Sequence, residues 1–261
     1  MQYTLYPSLK ARTVFISGGS SGIGAELVRA FSAQGSRVAF CGTKPGGGDG
    51  LIGEITEAGH PTPYYEACDV RDIAALQQLL GRVADTMGPI RILVNNAGRD
   101  DRHSLDELTP EYWDNCLNIN LRHQVFATQT VARQLKDAKL GGSIINMGSI
   151  SWMRGRPNLI GYTTSKAAVS GMTRTLAREL GDAGIRVNAL VPGAIVTERQ
   201  KTLWRNPEED QKFIDFQCLK FRLDSSHVAR PTLFLASDDS EGITGQNLLV
   251  DGGLAQVSVA G

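Results

Sequence analysis

At 261 residues, 41% hydrophobic and 21% charged, the chain carries enough apolar side chains to close a core over one large α/β domain, which excludes a disordered protein. Lysine plus arginine and aspartate plus glutamate stand at 27 each, so no global field would hold a nucleic acid or an anionic membrane. The four cysteines, Cys41, Cys68, Cys116 and Cys218, form no CxxC pair, the opening MQYTLYPSLKAR has no basic-then-apolar signal pattern, and no run reaches the ~18 apolar residues of a membrane span; a soluble, cytoplasmic protein with reduced thiols and no metal site is expected.

Seven short apolar runs, rich in β-branched residues, alternate with stretches of helical periodicity at 13–17, 37–42, 62–68, 92–95, 142–147, 186–191 and 247–250. That alternation predicts a single-domain α/β fold, a doubly wound (Rossmann) parallel seven-stranded sheet with helices on both faces. Val14-Phe15-Ile16 and Ile92-Leu93-Val94 are continuous apolar runs, as strands covered on both faces must be. Gly46-Gly47-Gly48 reads as a mobile turn rather than a linker. Thr109-Pro110 places a cap residue before a proline at the first helical position, and the helix is predicted to run through Asn120 toward Leu135. Residues 193–222 are charged, weakly periodic and contain Pro207, and are expected to form a substrate lid.

The first strand is followed at once by Ser17-Gly18-Gly19-Ser20-Ser21-Gly22-Ile23-Gly24 and an amphipathic stretch. A glycine-rich strand-to-helix turn lets backbone approach a pyrophosphate, whose charge then meets unpaired amides at a helix N-terminus. The spacing GxxxGxG is not the common GxGxxG, and by itself such a turn also serves as a mere tight connection. A carboxylate ending the second strand would bind a ribose 2′-hydroxyl and repel a 2′-phosphate. Here that position is Gly42, followed by Thr43 and Lys44, which favours NADP and permits NAD, although Lys44 reads equally well as a solvated turn residue. Asp69, with Val70 beside it, is placed to accept from an adenine amino group, and Asn95, Ala97 and Gly98 would lie under the cofactor, unless each is ordinary strand-end chemistry.

Tyr162 and Lys166 stand at i and i+4, so in a helix both project from one face. A tyrosine with a pKa of ~10 is a poor base at neutral pH, but an adjacent ammonium favours its phenolate and suits it to take a proton from an alcohol. YxxxK alone is weak evidence. Ser149, 13 residues before Tyr162, and Asn120 in the preceding helix make it specific.

With these motifs in order, together with Asn95-Asn96-Ala97-Gly98, Pro192-Gly193 and Thr197, the chain resembles the short-chain dehydrogenase/reductases over essentially its whole length. The resemblance implies a tetrad in which Tyr162 is the acid/base, Lys166 binds the nicotinamide ribose and lowers the tyrosine pKa, Ser149 holds the substrate oxygen, and Asn120 supports a proton-relay water. Pro192, Gly193 and Ile195 would border the cofactor, with Thr197 at its carboxamide. It also implies a homotetramer built through the helices bearing Asn120 and Tyr162 and through the C-terminal region.

Within that family the chain is similar to bacterial aldose 1-dehydrogenases at 95–103, 112–114, 120–123, 148–152 and 217–220. It departs at Gly42, where the member it most resembles carries aspartate, and over 154–161. The resemblance implies oxidation of the C1 hydroxyl of a cyclic aldose to an aldonolactone. A polyhydroxylated ring needs convergent polar groups, for which Ser151, Trp152, Arg154, Asn158, Gln200 and Gln217 are the candidates. Trp152 is either a platform for a sugar face or a core residue. Asp100, Asp101, Arg102 and His103 read as a loop-stabilising charge network. The rival readings are a dehydrogenase of a non-anomeric alcohol on a keto-deoxy sugar acid, with Arg154 or Arg156 on its carboxylate, a carbonyl reductase, and a catalytically silent NADP-sensing module.

Overall fold

The computed structural model describes residues 3–197 and 207–256. Seven strands, β1 (Thr13–Ile16), β2 (Arg37–Gly42), β3 (Tyr64–Ala67), β4 (Ile92–Asn95), β5 (Gly142–Met147), β6 (Ile185–Pro192) and β7 (Asn247–Val250), form one sheet in the order β3-β2-β1-β4-β5-β6-β7. Every pairing is parallel. The order reverses between β1 and β4, where Val14 pairs with Ile92 and Ile16 with Val94, and this switch point opens a crevice at the carboxyl ends of the strands.

Strand alternation distributes the apolar runs between two layers. Val14, Ile16, Phe40, Val94 and Leu190 pack toward α1 (Gly22–Ala33), α2 (Asp49–Glu57) and the late helix Ser225–Ala236, where Leu27, Phe31, Val228 and Leu233 are fully or almost fully buried. Phe15, Ala39, Leu93, Ile144 and Val187 face the other way, onto Leu76 and Leu80 of α3 (Ile73–Met87) and Val131 and Leu135 of a central helix. A third cluster, with Ile150, Val169 and Val191, supports the crevice from below.

The long helix predicted from Thr109 to Leu135 is present and continuous, but not uniform. Thr109 caps it through its hydroxyl, which accepts from the Tyr112 amide, but α4 (Pro110–Leu117) passes into a π-helical stretch, Asn118–Arg122, before α5 (His123–Asp137) resumes. After β5, a turn leads into the 21-residue α6 (Ile160–Leu180). The lid segment differs from a plain loop as well: α7 (Pro207–Phe216) begins at Pro207, where a proline lacks only an amide that has no helical partner, and α8 (Ser225–Ala236) follows behind an Asp224 cap reciprocated by His227. Gly48, in the expected mobile turn, is buried against the Tyr65 and Phe40 rings. The four cysteines are free thiols, and Cys218 alone among them is exposed.

Candidate active site

The glycine turn is cross-braced to the end of β4. Ser17 Oγ accepts from the amides of Asn96 and Ala97, both at 3.0 Å, and Asn96 Nδ2 donates to the carbonyls of Ser17 and Gly18 at 3.0 Å each. A Cβ on Gly24 would stand 2.0 Å from the Gly18 carbonyl oxygen, so no side chain fits where the helix starts. Ser21 precedes α1 without a side-chain cap, and the first turn holds no acidic residue. The positive helix end is thereby directed at whatever anion enters the crevice.

A cleft of about 380 Å³ runs along the strand ends. Gly18, Ser20, Ser21, Ile23 and Gly24 form one wall, and Gly42, Thr43, Asp69 and Val70 continue it past β2 and β3. Ala97 and Gly98 lie beneath, with Pro192, Gly193, Ile195 and Thr197 opposite. A Cβ on Gly42 would lie 2.4 Å from Ser20 Oγ, so the end of β2 has no room for a carboxylate unless Ser20 moves. Arg71 hydrogen-bonds Asp69 and holds its carboxyl below the usual range, keeping it an acceptor. These residues fit a dinucleotide: a helix end for pyrophosphate, an acceptor at one end, and a backbone cradle that side chains would fill.

Three predicted contacts shift. Asn95 is fully buried behind the sheet, where its Nδ2 donates to Asn146 Oδ1 at 2.9 Å; Asn96, one residue on, is the one that faces the cleft. Lys44 is exposed beside the lining rather than on it, and Gly22 lies behind it near the Thr197 methyl group. Cys68, Ile119 and Met147 also line the cleft, and no motif marks them; Arg99, from the 95–103 stretch, lines it too.

Tyr162 and Lys166 share a face of α6. Lys166 is 3% exposed, its Nζ donates to the Met147 carbonyl at 2.7 Å, and it lies 5.5 Å from the Tyr162 ring centroid. Burial pushes its pKa down from 10.5 to about 8. Gly161 precedes the tyrosine because Cys116 Sγ would be 2.9 Å from any Cβ there. Ser149 Oγ is 2.9 Å from Ser151 Oγ and also accepts from the Ser151 amide. Asn120 is fully buried and its side chain is committed to protein: Oδ1 accepts from the Arg99 amide at 2.9 Å, and Nδ2 donates to the carbonyls of Arg99 and Cys116. It clamps the Gly98–Arg99 turn against Lys166 and does not project its amide into the cleft.

A second cavity, of about 470 Å³, adjoins the first at Ser149, Tyr162 and Gly193. Ser151 and Arg154 line it as predicted, and so do Asp100, Arg102, Arg156 and three residues of α7, Lys212, Phe213 and Phe216. Of the remaining substrate candidates, three do not line this cavity. Asn158 sits at φ 61° in the turn before α6, where its carbonyl accepts from the His103 amide, and its side chain is exposed away from the cavity. Gln217 is 2% exposed and its Nε2 donates to the carbonyls of Leu219 and Phe221, a brace for the chain after α7. Trp152 does not line the cavity; its indole nitrogen is buried without a hydrogen-bond partner, which favours the core reading over the platform. Gln200 lies outside the described residues. In the 100–103 loop Arg99 pairs with Asp101, and His103 packs edge-on against Tyr112, an aromatic rather than a charge contact. The α7 aromatics, Phe213 and Phe216 at i and i+3, are the one trace of this helix in an otherwise weakly periodic stretch.

The sequence model of a family described as enoyl-(acyl carrier protein) reductase matches residues 18–255. A D-xylose 1-dehydrogenase of Caulobacter vibrioides is 44% identical over 97% of this chain and 99% of its own length. An L-rhamnose 1-dehydrogenase (NAD(P)(+)) of Azotobacter vinelandii is 34% identical over 93% of this chain and 96% of its own. Among solved structures, a blue fluorescent protein from a metagenomic library in complex with NADPH superposes with a TM-score of 0.85 at 32% identity, covering 95% of this chain and 99% of that one. With the switch-point cleft, the glycine turn and the tyrosine–lysine pair, these likenesses establish that the chain belongs to the short-chain dehydrogenase/reductase family.

Proposed function

We propose that the protein is an NAD(P)-dependent oxidoreductase that oxidises the C1 hydroxyl of a cyclic aldose to an aldonolactone. One observation carries this reading: the dinucleotide-shaped cleft and the second cavity meet at Ser149 and Tyr162, directly beside a buried lysine. A bound nicotinamide dinucleotide supplies the hydride acceptor in this chemistry. Ser149, kept in place by Ser151, holds the C1 oxygen, and Tyr162 takes the hydroxyl proton. Lys166 sets the field at the phenol from a position fixed by the Met147 carbonyl. Asn120 acts through Lys166, by holding the Gly98–Arg99 turn; the relay-water role belongs to the family resemblance alone. The lid is assigned to 193–222, where α7 closes the outer side of the second cavity.

NADP is the preferred form and NAD the lesser one. The absence of an acid at Gly42, the Ser20 hydroxyl in the space an acid would need, and Thr43 on the lining with Lys44 beside it support that order. The C1 chemistry has support from the xylose- and rhamnose-oxidising relatives. We further assign the protein to the cytoplasm as a homotetramer. The free cysteines support the compartment, as does the lack, among the described residues, of any helix long and apolar enough to cross a membrane. The apolar groove of Leu117, Leu121 and Val125 along α4 and α5 supports the assembly.

Replacing Tyr162 by Phe is expected to lower kcat by about two to four orders of magnitude. Binding of NADP, followed by fluorescence titration, is retained. A variant that keeps a tenth or more of the turnover, roughly the scale of one lost hydrogen bond, would remove the phenol from its assigned role.

A further inference from the structure

We infer that Tyr65, a β3 residue outside the cleft lining, is a positioning residue that decides between the cofactors: it holds the turn after β2 so that Thr43 and Lys44 meet the 2′-phosphate of NADP. The inference rests on the NADP preference proposed above and deepens it by naming the device behind it.

The device accounts for Gly46-Gly47-Gly48, which the sequence marks as a mobile turn and the structure docks on an aromatic ring. The chain reverses over residues 44–47. The Gly47 amide donates to the Lys44 carbonyl at 3.0 Å, Pro45 takes the second place and Gly46, at φ 67°, the third, the order favoured by a type II turn. A Cβ on Gly48 would lie 2.5 Å from Tyr65 Cγ, and one on Gly47 would lie 2.9 Å from the Lys44 carbonyl oxygen and 3.1 Å from the Tyr65 hydroxyl. No side chain fits at either position, so these glycines bring the backbone down onto Tyr65. The phenol then donates its proton to the Lys44 carbonyl, which can only accept. Burial, with Cys41 and Asp49 adding to it, raises the Tyr65 pKa and keeps that proton in place. The ring itself is fixed by Phe40, its register partner on β2, at 5.0 Å. Both ends of the short segment are thereby set, Gly42 by its pairing with Ala67 and Lys44 by Tyr65.

The place is the one that discriminates. The Tyr65 hydroxyl lies 3.3 Å from a Cβ on Gly42, so it borders the space where an acid would select the ribose hydroxyl. What the segment presents there instead is a set of donors. Ser20 and Thr43 bring hydroxyls to the lining and Lys44 an ammonium beside it, and among the described residues none of these three side chains has a hydrogen-bond or ion-pair partner. Asp49, the one acid from 42 to 49, has its carboxylate against Gly46, 3.1 Å from a Cβ there. A 2′-phosphate brings acceptors and charge and answers such donors, whereas the 2′-hydroxyl of NAD carries no charge for the ammonium. The phenol takes no direct part, because its one proton is committed to the carbonyl. Its influence reaches the phosphate through the backbone of Lys44.

The test measures Kd for NADP and for NAD by fluorescence titration of the intact protein, as wild type, Tyr65→Phe, Lys44→Ala and the double variant. Tyr65→Phe keeps the ring against Phe40 and Gly48 and removes one hydroxyl, so the chain still folds. Its Kd for NADP should rise about fivefold, the scale of one lost hydrogen bond, and its Kd for NAD by less than about twofold. In the Lys44→Ala background the same change should lose most of its effect on NADP, since the ammonium it aims is gone. Equal weakening of both cofactors would make Tyr65 a structural residue only, and weakening of NAD alone would mean that the phenol serves the ribose hydroxyl. No change, or full additivity with Lys44→Ala, would cut the link through the turn. Each of these results overturns the inference while the NADP preference of the wild type survives. A wild type that binds NAD more tightly removes that preference, and the inference with it.

Discussion

The ammonium of Lys166 is held where water barely reaches it, with the Met147 carbonyl as its hydrogen-bond acceptor. Lowering its pKa from 10.5 to about 8 corresponds to roughly 3 kcal/mol of preference for the neutral amine. Below pH 8 folded and unfolded chains both carry the proton, and folding bears the whole desolvation cost. Between about 8 and 10.5 the unfolded chain binds more protons, so this group makes stability rise with pH until the cost is gone. Lys166→Met removes that cost but orphans the Met147 carbonyl, a loss of about 1 kcal/mol. The larger effect wins: the variant should be inactive yet more stable by about 2 kcal/mol at pH 7, with the gap closing toward pH 10. Urea unfolding at the two pH values measures it, and a variant less stable than wild type at pH 7 would contradict the burial argument. At this scale the sequence was legible where chemistry dictates spacing, as for Tyr162 and Lys166. It was not where one position flips a side: Asn95 still belongs to β4 and points into the helical layer, whereas Asn96 has left the strand and turns to the cleft.

The inner strands β1 and β4 were legible because a doubly covered parallel sheet leaves continuous buried runs, whereas the edge strands β3 and β7 are only partly buried; the boundaries of all seven moved by no more than two residues. The π-helical stretch Asn118–Arg122 was not legible, since no proline or glycine marks it. Its cause is side-chain competition for backbone partners. Asn120 Nδ2 takes the Arg99 and Cys116 carbonyls, and Gln124 Nε2 takes the Asn120 carbonyl at 3.0 Å. The widened turn also positions His123, fully buried, with Nε2 3.1 Å from the Ala97 carbonyl. Burial, and then the charge of Lys166, push the imidazole down from 6.5 to about 4. As pH falls through that window the unfolded chain takes up a proton that the folded one refuses, so the group withdraws roughly 3 kcal/mol of stability between pH 6.5 and pH 4. His123→Gln keeps a donor for the Ala97 carbonyl without a titrating group, and should flatten the acid limb of the stability curve by about that amount. Equal acid slopes for the two proteins, measured by denaturant unfolding, would mean that the histidine is not titrating as its burial requires. Residues 207–216 escaped prediction as a helix for a different reason: α7 packs its aromatics against arginines from a turn some sixty positions earlier, a tertiary contact that charge and weak periodicity conceal.

Across the whole molecule, the cleft draws its lining from the ends of β1, β2, β4, β5 and β6 and from the start of α6, so elements from both packed layers converge on one site. Asn95, Asn146 and Thr173 extend that convergence downward as a buried chain of hydrogen bonds from β4 through β5 to α6, the helix that carries the tyrosine. A ligand that holds these ends together stabilises the folded chain as a unit, because separating either layer destroys its site. At one hundred times Kd the stabilisation amounts to about 2.7 kcal/mol. In a domain of this size each kcal/mol moves Tm by roughly 2–4 °C, which places the expected shift at about 5–10 °C. Scanning calorimetry should therefore record one transition that moves upward by that amount with NADP and by less with NAD at equal concentration. A larger shift with NAD would overturn the reading of Gly42 and Thr43 as the phosphate-permitting end of β2, and no shift with either would deny that the switch-point cleft binds a dinucleotide. Two transitions, with one of them unmoved, would show that the layers on the two faces of the sheet unfold separately and that the site does not tie them together.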